Sequence, residues 1–385
     1  MNVGLFLGHP AHFHYLKNAA KHLQNDGHNV FFVIKHKDIL ETLLDDSGFS
    51  YTKIREGRGN SKFALAKSVI EMEINMVKFI KKNHIDILIG STLTFAAKIV
   101  CRIPVIVIGE DDARVVPFYS KLALPFASAL VTPTTCKNWK WENISLKYPG
   151  YMELGYLHPN NFTPNKKVVE KYFSSSKPYF IFRFASLNAH HDNGIHGIDT
   201  DIAQHLIDIL SSHGDIYITS ERELEPQFEQ YRIKINPLDM HHVMAFASLY
   251  IGDSQTMAAE AGVLGVPFVR FNDFVGRIGY LRELEDVYHL GYGIRANTEP
   301  FIPEKVDWID EEPKVQPCGA EAMYKVVKEL VAMDADERRK LYQERRQKML
   351  SEKIDYAKFL TWFIENYPES VKIMKENPDY QYNFR

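Results

Sequence analysis

The stretch Gly252–Pro267, GDSQTMAAEAGVLGVP, brings a polar loop to the start of a helix directly after an apolar strand, Leu249–Ile251. The first turn of such a helix leaves backbone N–H groups unpaired and carries the positive end of the helix dipole. Ser254, Gln255 and Thr256 therefore offer a seat for a phosphate group. Glu260 follows Thr256 by one turn, where a carboxylate can take a ligand hydroxyl. The pattern reads as part of a nucleotide site, although a strand, loop and helix in this order also serve purely structural ends.

Other residues invite chemistry. The loop GHPAHFH follows the first apolar strand and holds His9, His12 and His14. Zinc would need further ligands on a partner segment, and the sequence identifies none, so no metal is expected. His12 reads as an acid/base or hydrogen-bond donor, or else as a helix cap or surface histidine. The loop GEDDAR, Gly109–Arg114, sets Glu110, Asp111 and Asp112 at the end of another strand. Crowded carboxylates raise one another's pKa, which suits a general base, with Glu110 and Asp111 ahead of Asp112. The alternative is a solvated loop that caps the next helix.

Phe182-Arg183-Phe184 ends the strand Tyr179–Phe184, and an arginine inside that apolar run reads as aimed at a phosphate or held by a buried carboxylate. His190, His191 and Asp192 follow without metal-ligand spacing, and His241 near a helix start can cover a nucleotide or cap its helix. The segment Cys136–Tyr151 interleaves lysines with Trp139, Trp141 and Tyr148. Peripheral membrane contact is one reading of it; half-buried packing suits it better, because a strong amphipathic period is missing.

The elements that must position these residues alternate. Val3–Leu7, helix Ala11–Gln24 closed by Asn25-Asp26-Gly27, and Val30–Ile34 form a βαβ unit, which predicts a parallel sheet. Helix Phe63–Asn83, strand Ile85–Gly90, helix Thr94–Cys101 and strand Val105–Ile108 continue the pattern. It restarts after a segment rich in Pro, Asn and Ser with Tyr179–Phe184, helix Thr200–Ser211, Asp215–Thr219, helix Asp239–Phe246, Leu249–Ile251 and Val266–Phe271. Helix-like segments Ala320–Val331 and Asp336–Lys353 come last.

The fold expectation is α/β, with two Rossmann-like doubly wound parallel-sheet domains and a ligand in the cleft between them. The expected boundaries are 1–157, a linker over 158–178, a second domain over 179–345, and a tail from 346 to 385 that packs back on the first. A chain of 385 residues suits two cores.

A net charge of −3 gives no support for a nucleic-acid partner. The three cysteines form no CxxC pair, so neither a disulfide framework nor a structural zinc site is suggested. The N-terminus lacks a signal-peptide pattern and no run of about eighteen apolar residues exists, so the expectation is a cytoplasmic protein with no transmembrane segment. GxGxxG and GxxxxGK[ST] are both missing, which speaks against a classical dinucleotide fold and a P-loop enzyme.

The segments HPAHFHYLKNAAKHLQNDGHNV, KYPGYMELGYLHPNNFTP, FRFASLNAHHD and MHHVMAFASLYIGDSQTMAAEAGVLGVP together resemble domain-of-unknown-function family 354, over about residues 1–335. That family is itself similar to GT-B enzymes, the inverting glycosyltransferases and the non-hydrolysing UDP-N-acetylglucosamine 2-epimerases. The resemblance implies a nucleotide-sugar cleft, a diphosphate on Ser254–Thr256 and Glu260 on the ribose. It implies no cofactor beyond a UDP-sugar as substrate, and a glycan or glycolipid acceptor. The epimerases carry a Gly-Asp-Thr element after one strand and Glu-Ala-Gly after the next. Here these places read Gly90-Ser91-Thr92 and Glu110-Asp111-Asp112, so one carboxylate is missing at Ser91. A glycosyltransferase is therefore the leading expectation, ahead of an epimerase and of a nucleotide-sugar-binding protein without catalysis. The oligomeric state is not legible.

Overall fold

The computed structural model describes residues 1–36, 38–55, 62–90, 92–173, 175, 177–185 and 196–385, with the backbone alone at 38, 62–66, 118 and 119. The chain divides into two compact units, Met1–Asn161 with Lys353–Arg385, and Phe162–Glu352.

The first unit holds seven strands: β1 (Asn2–Leu7), β2 (Asn29–Lys35), β3 (Tyr51–Arg55), β4 (Ile87–Ile89), β5 (Val105–Ile108), β6 (Ala129–Pro133) and β7 (Ser145–Tyr148). They pair in the order β3-β2-β1-β4-β5-β6-β7, all parallel. The central strands are continuous apolar runs buried on both faces, as a helix-covered parallel sheet requires. The edge strands β3 and β7 carry lysine and bury few positions, so their sequences lack that signal.

Helix Pro10–Asn25 begins with proline at its first turn and ends at Gly27, whose φ of 86° is the left-handed conformation that glycine takes without strain. The expected helix over Thr94–Cys101 is a π-helical turn, Ala96–Cys101, closed by Arg102 at φ 59°.

The second unit holds β8 (Tyr179–Phe184), β9 (Asp215–Ser220), β10 (Leu249–Gly252), β11 (Phe268–Phe271) and β12 (Gly291–Ile294), ordered β12-β11-β10-β8-β9 and again all parallel. The segment 158–178 is shared: residues up to Asn161 belong to the first unit, and the helical turn Lys166–Val169 lies against helix Met240–Ala245 of the second.

The chain rejoins the first unit at Lys353, where helix Tyr356–Glu365 lies against helix Pro10–Asn25. Asp355, fully buried, caps that helix at the N–H groups of Ala357 and Lys358 and also accepts from the Asn160 and Asn161 amides. One carboxylate thus fixes the chain where it leaves the first unit and where it returns.

Candidate functional site

In the second unit, β8, β10 and β11 run parallel, so their carboxyl ends deliver Arg183, Gly252-Asp253 and Asn272-Asp273 to one edge of the sheet. That edge is where open α/β sheets bind ligands. Gly252 is required there: a Cβ would stand 2.8 Å from the Arg183 carbonyl and 2.6 Å from the Tyr250 hydroxyl. Helix Gln255–Val263 starts directly after β10, with Ser254 Oγ accepting from the Met257 N–H at 3.5 Å. Ser254, Gln255 and Thr256 are half-buried, within reach of a ligand, and the first-turn N–H groups point outward along the dipole. The loop is braced from β11: the Asn272 amide donates to the Asp253 carbonyl at 2.9 Å and to Gln255 Oε1 at 2.7 Å.

Glu260 lies deeper than its spacing alone suggests. It is buried, and Oε1 accepts from His241 Nε2 at 2.9 Å. Two residues read separately from the sequence are one buried pair, with the Phe162 ring set edge-on to His241 at 6.3 Å. Arg183 pairs through Nη2 with the half-exposed Glu221, so an anion at this edge competes with that carboxylate for the guanidinium. His190, His191 and Asp192 lie outside the described residues.

Asp253, Arg222 and Asp273 also belong to this edge and carry no motif of their own in the sequence. Asp253 Oδ1 accepts the Ala185 N–H at 2.6 Å, and Arg222 lies over the Phe184 ring at 5.1 Å while donating to the Ile198 carbonyl. Asp273 accepts from the backbone of His196 and of Asn297 and from the His196 ring; these donors outweigh burial and hold its carboxyl below the usual range.

Burial pushes the Asp253 carboxyl up to about 6, against the Ala185 N–H and the Arg222 charge. The folded chain therefore binds this proton more tightly than the unfolded chain does. The stability it contributes is complete below the unfolded carboxylate pKa, roughly 4, and is lost as pH rises through about 6. Asp253→Asn should gain on the wild type by up to about 3 kcal/mol between those limits, read from urea midpoints across the range. A difference independent of pH would remove Asp253 as the titrating group.

In the first unit the histidines have separate uses. His9 Nδ1 caps helix Pro10–Asn25 at Ala11 N, and His14 is buried against Tyr156. His12 Nδ1 accepts from Gly8 N at 3.2 Å, which assigns the neutral ring's proton to Nε2 and makes that face a donor rather than a base. Among the described residues no three His, Cys, Asp or Glu side chains converge on a possible metal position.

In the acidic loop after β5, Asp112 is buried and accepts from Lys137 N, a structural task. Glu110 turns toward helix Pro10–Asn25, where Tyr15 O–H donates to Oε1 at 2.8 Å. Tyr15 in turn stacks on His12 at 6.2 Å. His12 and Glu110 are thus joined by Tyr15, which sits three residues beyond His12 on the helix and carried no signal beyond that spacing. Asp111 is half-buried in the same loop, and Ser91 lies outside the described residues.

The aromatic segment is packed: Arg114 covers Trp139 at 4.1 Å, and Trp141 lies on the Val107, Leu124 and Leu130 cluster. No helix among the described residues is long and apolar enough to cross a membrane.

A family model described as "Protein of unknown function (DUF354)" matches residues 1–275. Comparison with curated proteins finds no match. Among solved structures, the S. aureus MnaA–UDP co-structure is similar with a TM-score of 0.63 at 14% identity, covering 96% of this chain and 98% of that one. A putative UDP-N-acetylglucosamine 2-epimerase from Listeria monocytogenes gives 0.62 at 13%, covering 95% and 96%. The spinosyn rhamnosyltransferase SpnG complexed with spinosyn aglycone gives 0.57 at 11%, covering 95% and 100%. At such identities the likeness establishes the fold: two parallel-sheet α/β units of GT-B-like architecture.

Proposed function

The chain belongs to the family described as a protein of unknown function, DUF354, and from that premise we propose that it is a GT-B-type glycosyltransferase using a UDP-sugar without a metal ion. The observation that carries the reading is the start of helix Gln255–Val263, half-exposed at the carboxyl edge of a parallel sheet and followed within two turns by the His241–Glu260 pair. The helix N-terminus neutralises the leaving diphosphate, with Arg183 released from Glu221 as the second cation. Glu260, oriented by His241, takes the ribose hydroxyls. In the first unit Glu110 or Asp111 accepts the proton of the acceptor hydroxyl, and His12 donates through Nε2. The acceptor is a glycan or glycolipid.

The test is incubation with a panel of UDP-sugars, with and without acceptor extracts, following UDP release and the recovered sugar. Acceptor-dependent UDP release supports transfer. An epimerised sugar without acceptor favours the second reading, a sugar-nucleotide epimerase, for which the adjacent carboxylates Glu110 and Asp111 would serve as two proton-transfer groups. Glu260→Ala should weaken UDP binding by about 1–3 kcal/mol, and Glu260→Gln, which keeps an acceptor for His241, by less. Unchanged UDP affinity in Glu260→Ala would remove Glu260 from the site.

A further inference from the structure

Helix Lys62–Lys82 of the first unit buries Met72, Met76, Phe79 and Ile80 against Ala96 and Ala97 of the π-helical turn. Its other side follows a different rule. Lys67, Ile70, Ile74, Lys78 and Lys81 succeed one another at spacings of three or four residues and so share one face. The neighbouring turn adds Phe95, Ile99 and Val100. These five apolar side chains are between 44% and 62% exposed. The two segments adjoin: the Ala96 N–H donates to Glu73 Oε2 at 2.9 Å across the seam between them.

Isolated exposed apolar residues need no explanation, but a group of large ones on adjacent segments marks an interaction surface. Charge identifies the partner. Lys67, Lys78, Lys81 and Lys98 accompany the apolar residues, with Arg102 at the end of the turn. Of the acids on the same segments, Glu73 is turned inward to Ala96, and Glu71 remains on the outer side. A second copy of this chain docked through the same patch would set lysine against lysine. A nucleic acid would meet the lysines but gain nothing from the isoleucines.

We propose that this face of the first unit rests on an anionic membrane surface, with Ile70, Ile74, Phe95 and Ile99 entering the headgroup boundary and the lysines on lipid phosphates. Basic residues flanking an apolar stripe are the arrangement that such surfaces retain, and long lysine stems reach the phosphates while their methylenes stay in apolar surroundings. The inference stands apart from the nucleotide reading of the second unit and is tested without any sugar.

The test is co-sedimentation of the full chain with vesicles of phosphatidylcholine, alone or mixed with phosphatidylglycerol. The chain should pellet with the mixed vesicles, release at high salt, and remain in solution with phosphatidylcholine alone. Ile70→Ser with Ile74→Ser, or Lys78→Glu with Lys81→Glu, should lower the bound fraction at least about tenfold, while Ile302→Ser in the second unit leaves it unchanged. All these positions are exposed, so unfolding midpoints should hold; if either pair shifts them, the wild-type salt titration still decides. No pelleting with mixed vesicles, or equal loss in Ile302→Ser, overturns the proposal. So does a solution dimer that the Ile70 and Ile74 substitutions dissociate, which would assign the patch to a second copy.

Discussion

Glu110→Gln should lower kcat by about 10²–10⁴-fold, the range a positioned general base contributes. Glu110 is half-buried at the carboxyl end of β5, and one of its oxygens is fixed by the Tyr15 hydroxyl at 2.8 Å. The amide of the variant can still accept that bond, so the loop keeps its shape and only the charge is lost. His12 does not substitute for it, because its Nδ1 already accepts from Gly8 and its Nε2 carries the proton. Tyr15→Phe separates the roles: it should change kcat less than Glu110→Gln while shifting the acid limb of the pH–rate profile upward, since a carboxylate that loses a donor becomes more basic. If Glu110→Gln keeps its turnover, the base passes to Asp111.

The second large effect is on stability. Arg270, the penultimate residue of β11, is fully buried, and its Nε and Nη2 donate to Glu285 Oε1 and Oε2 at 3.0 and 3.2 Å. Burial raises the Glu285 carboxyl and Arg270 pulls it back. Arg270→Met should cost about 3–5 kcal/mol, because it leaves a carboxylate in the core without its counter-ion. Arg270→Met with Glu285→Leu should recover most of that loss, since a buried ion pair and an apolar pair of similar volume differ little. Urea unfolding of the full chain followed by far-UV circular dichroism reads both. A double variant as unstable as the single one would show that Arg270 acts through packing, not through Glu285. Space around the pair is tight: a Cβ on Gly293 would stand 2.6 Å from Glu285 Oε2.

These two arginines show where sequence reading stops. Phe182-Arg183-Phe184 and Val269-Arg270-Phe271 look alike as strings, each a cation within an apolar strand. Both are the penultimate residue of their strands, and both lie level with Gly252 of β10. Arg183 meets the half-exposed Glu221, so a ligand can compete for it, whereas Arg270 meets a buried carboxylate fifteen residues away and serves the core. The difference depends on which partner the fold brings to each, and that is not written locally. The same holds for Glu260: its spacing from Thr256 placed it near the helix start, but His241 reaches it from another helix nineteen residues away.

The architecture was more legible, because strands buried on both faces are largely apolar, as β4, β5, β10 and β1 from Val3 onward are. Strands β3 and β7 escaped because an edge strand buries few positions, and β12, Gly291–Ile294, is too short and glycine-rich to carry a pattern; β6, Ala129–Pro133, escaped although it is buried throughout. The phosphate-friendly helix start was visible because its chemistry belongs to the backbone and needs only a strand, a polar loop and a helix in that order. What faces it in the folded chain, Asp253 with its raised pKa and Arg222 over Phe184, depends on loops that carry no periodic signal.

The proposed function requires first of all that the carboxyl edge of the second sheet bind a nucleoside diphosphate. Calorimetric titration of the wild-type chain with UDP in the presence of EDTA tests it most directly. Saturable binding at one site per chain, left intact by the chelator, is the expected result. A titration with no heat beyond dilution, and no shift in unfolding temperature at the same UDP concentrations, would contradict it.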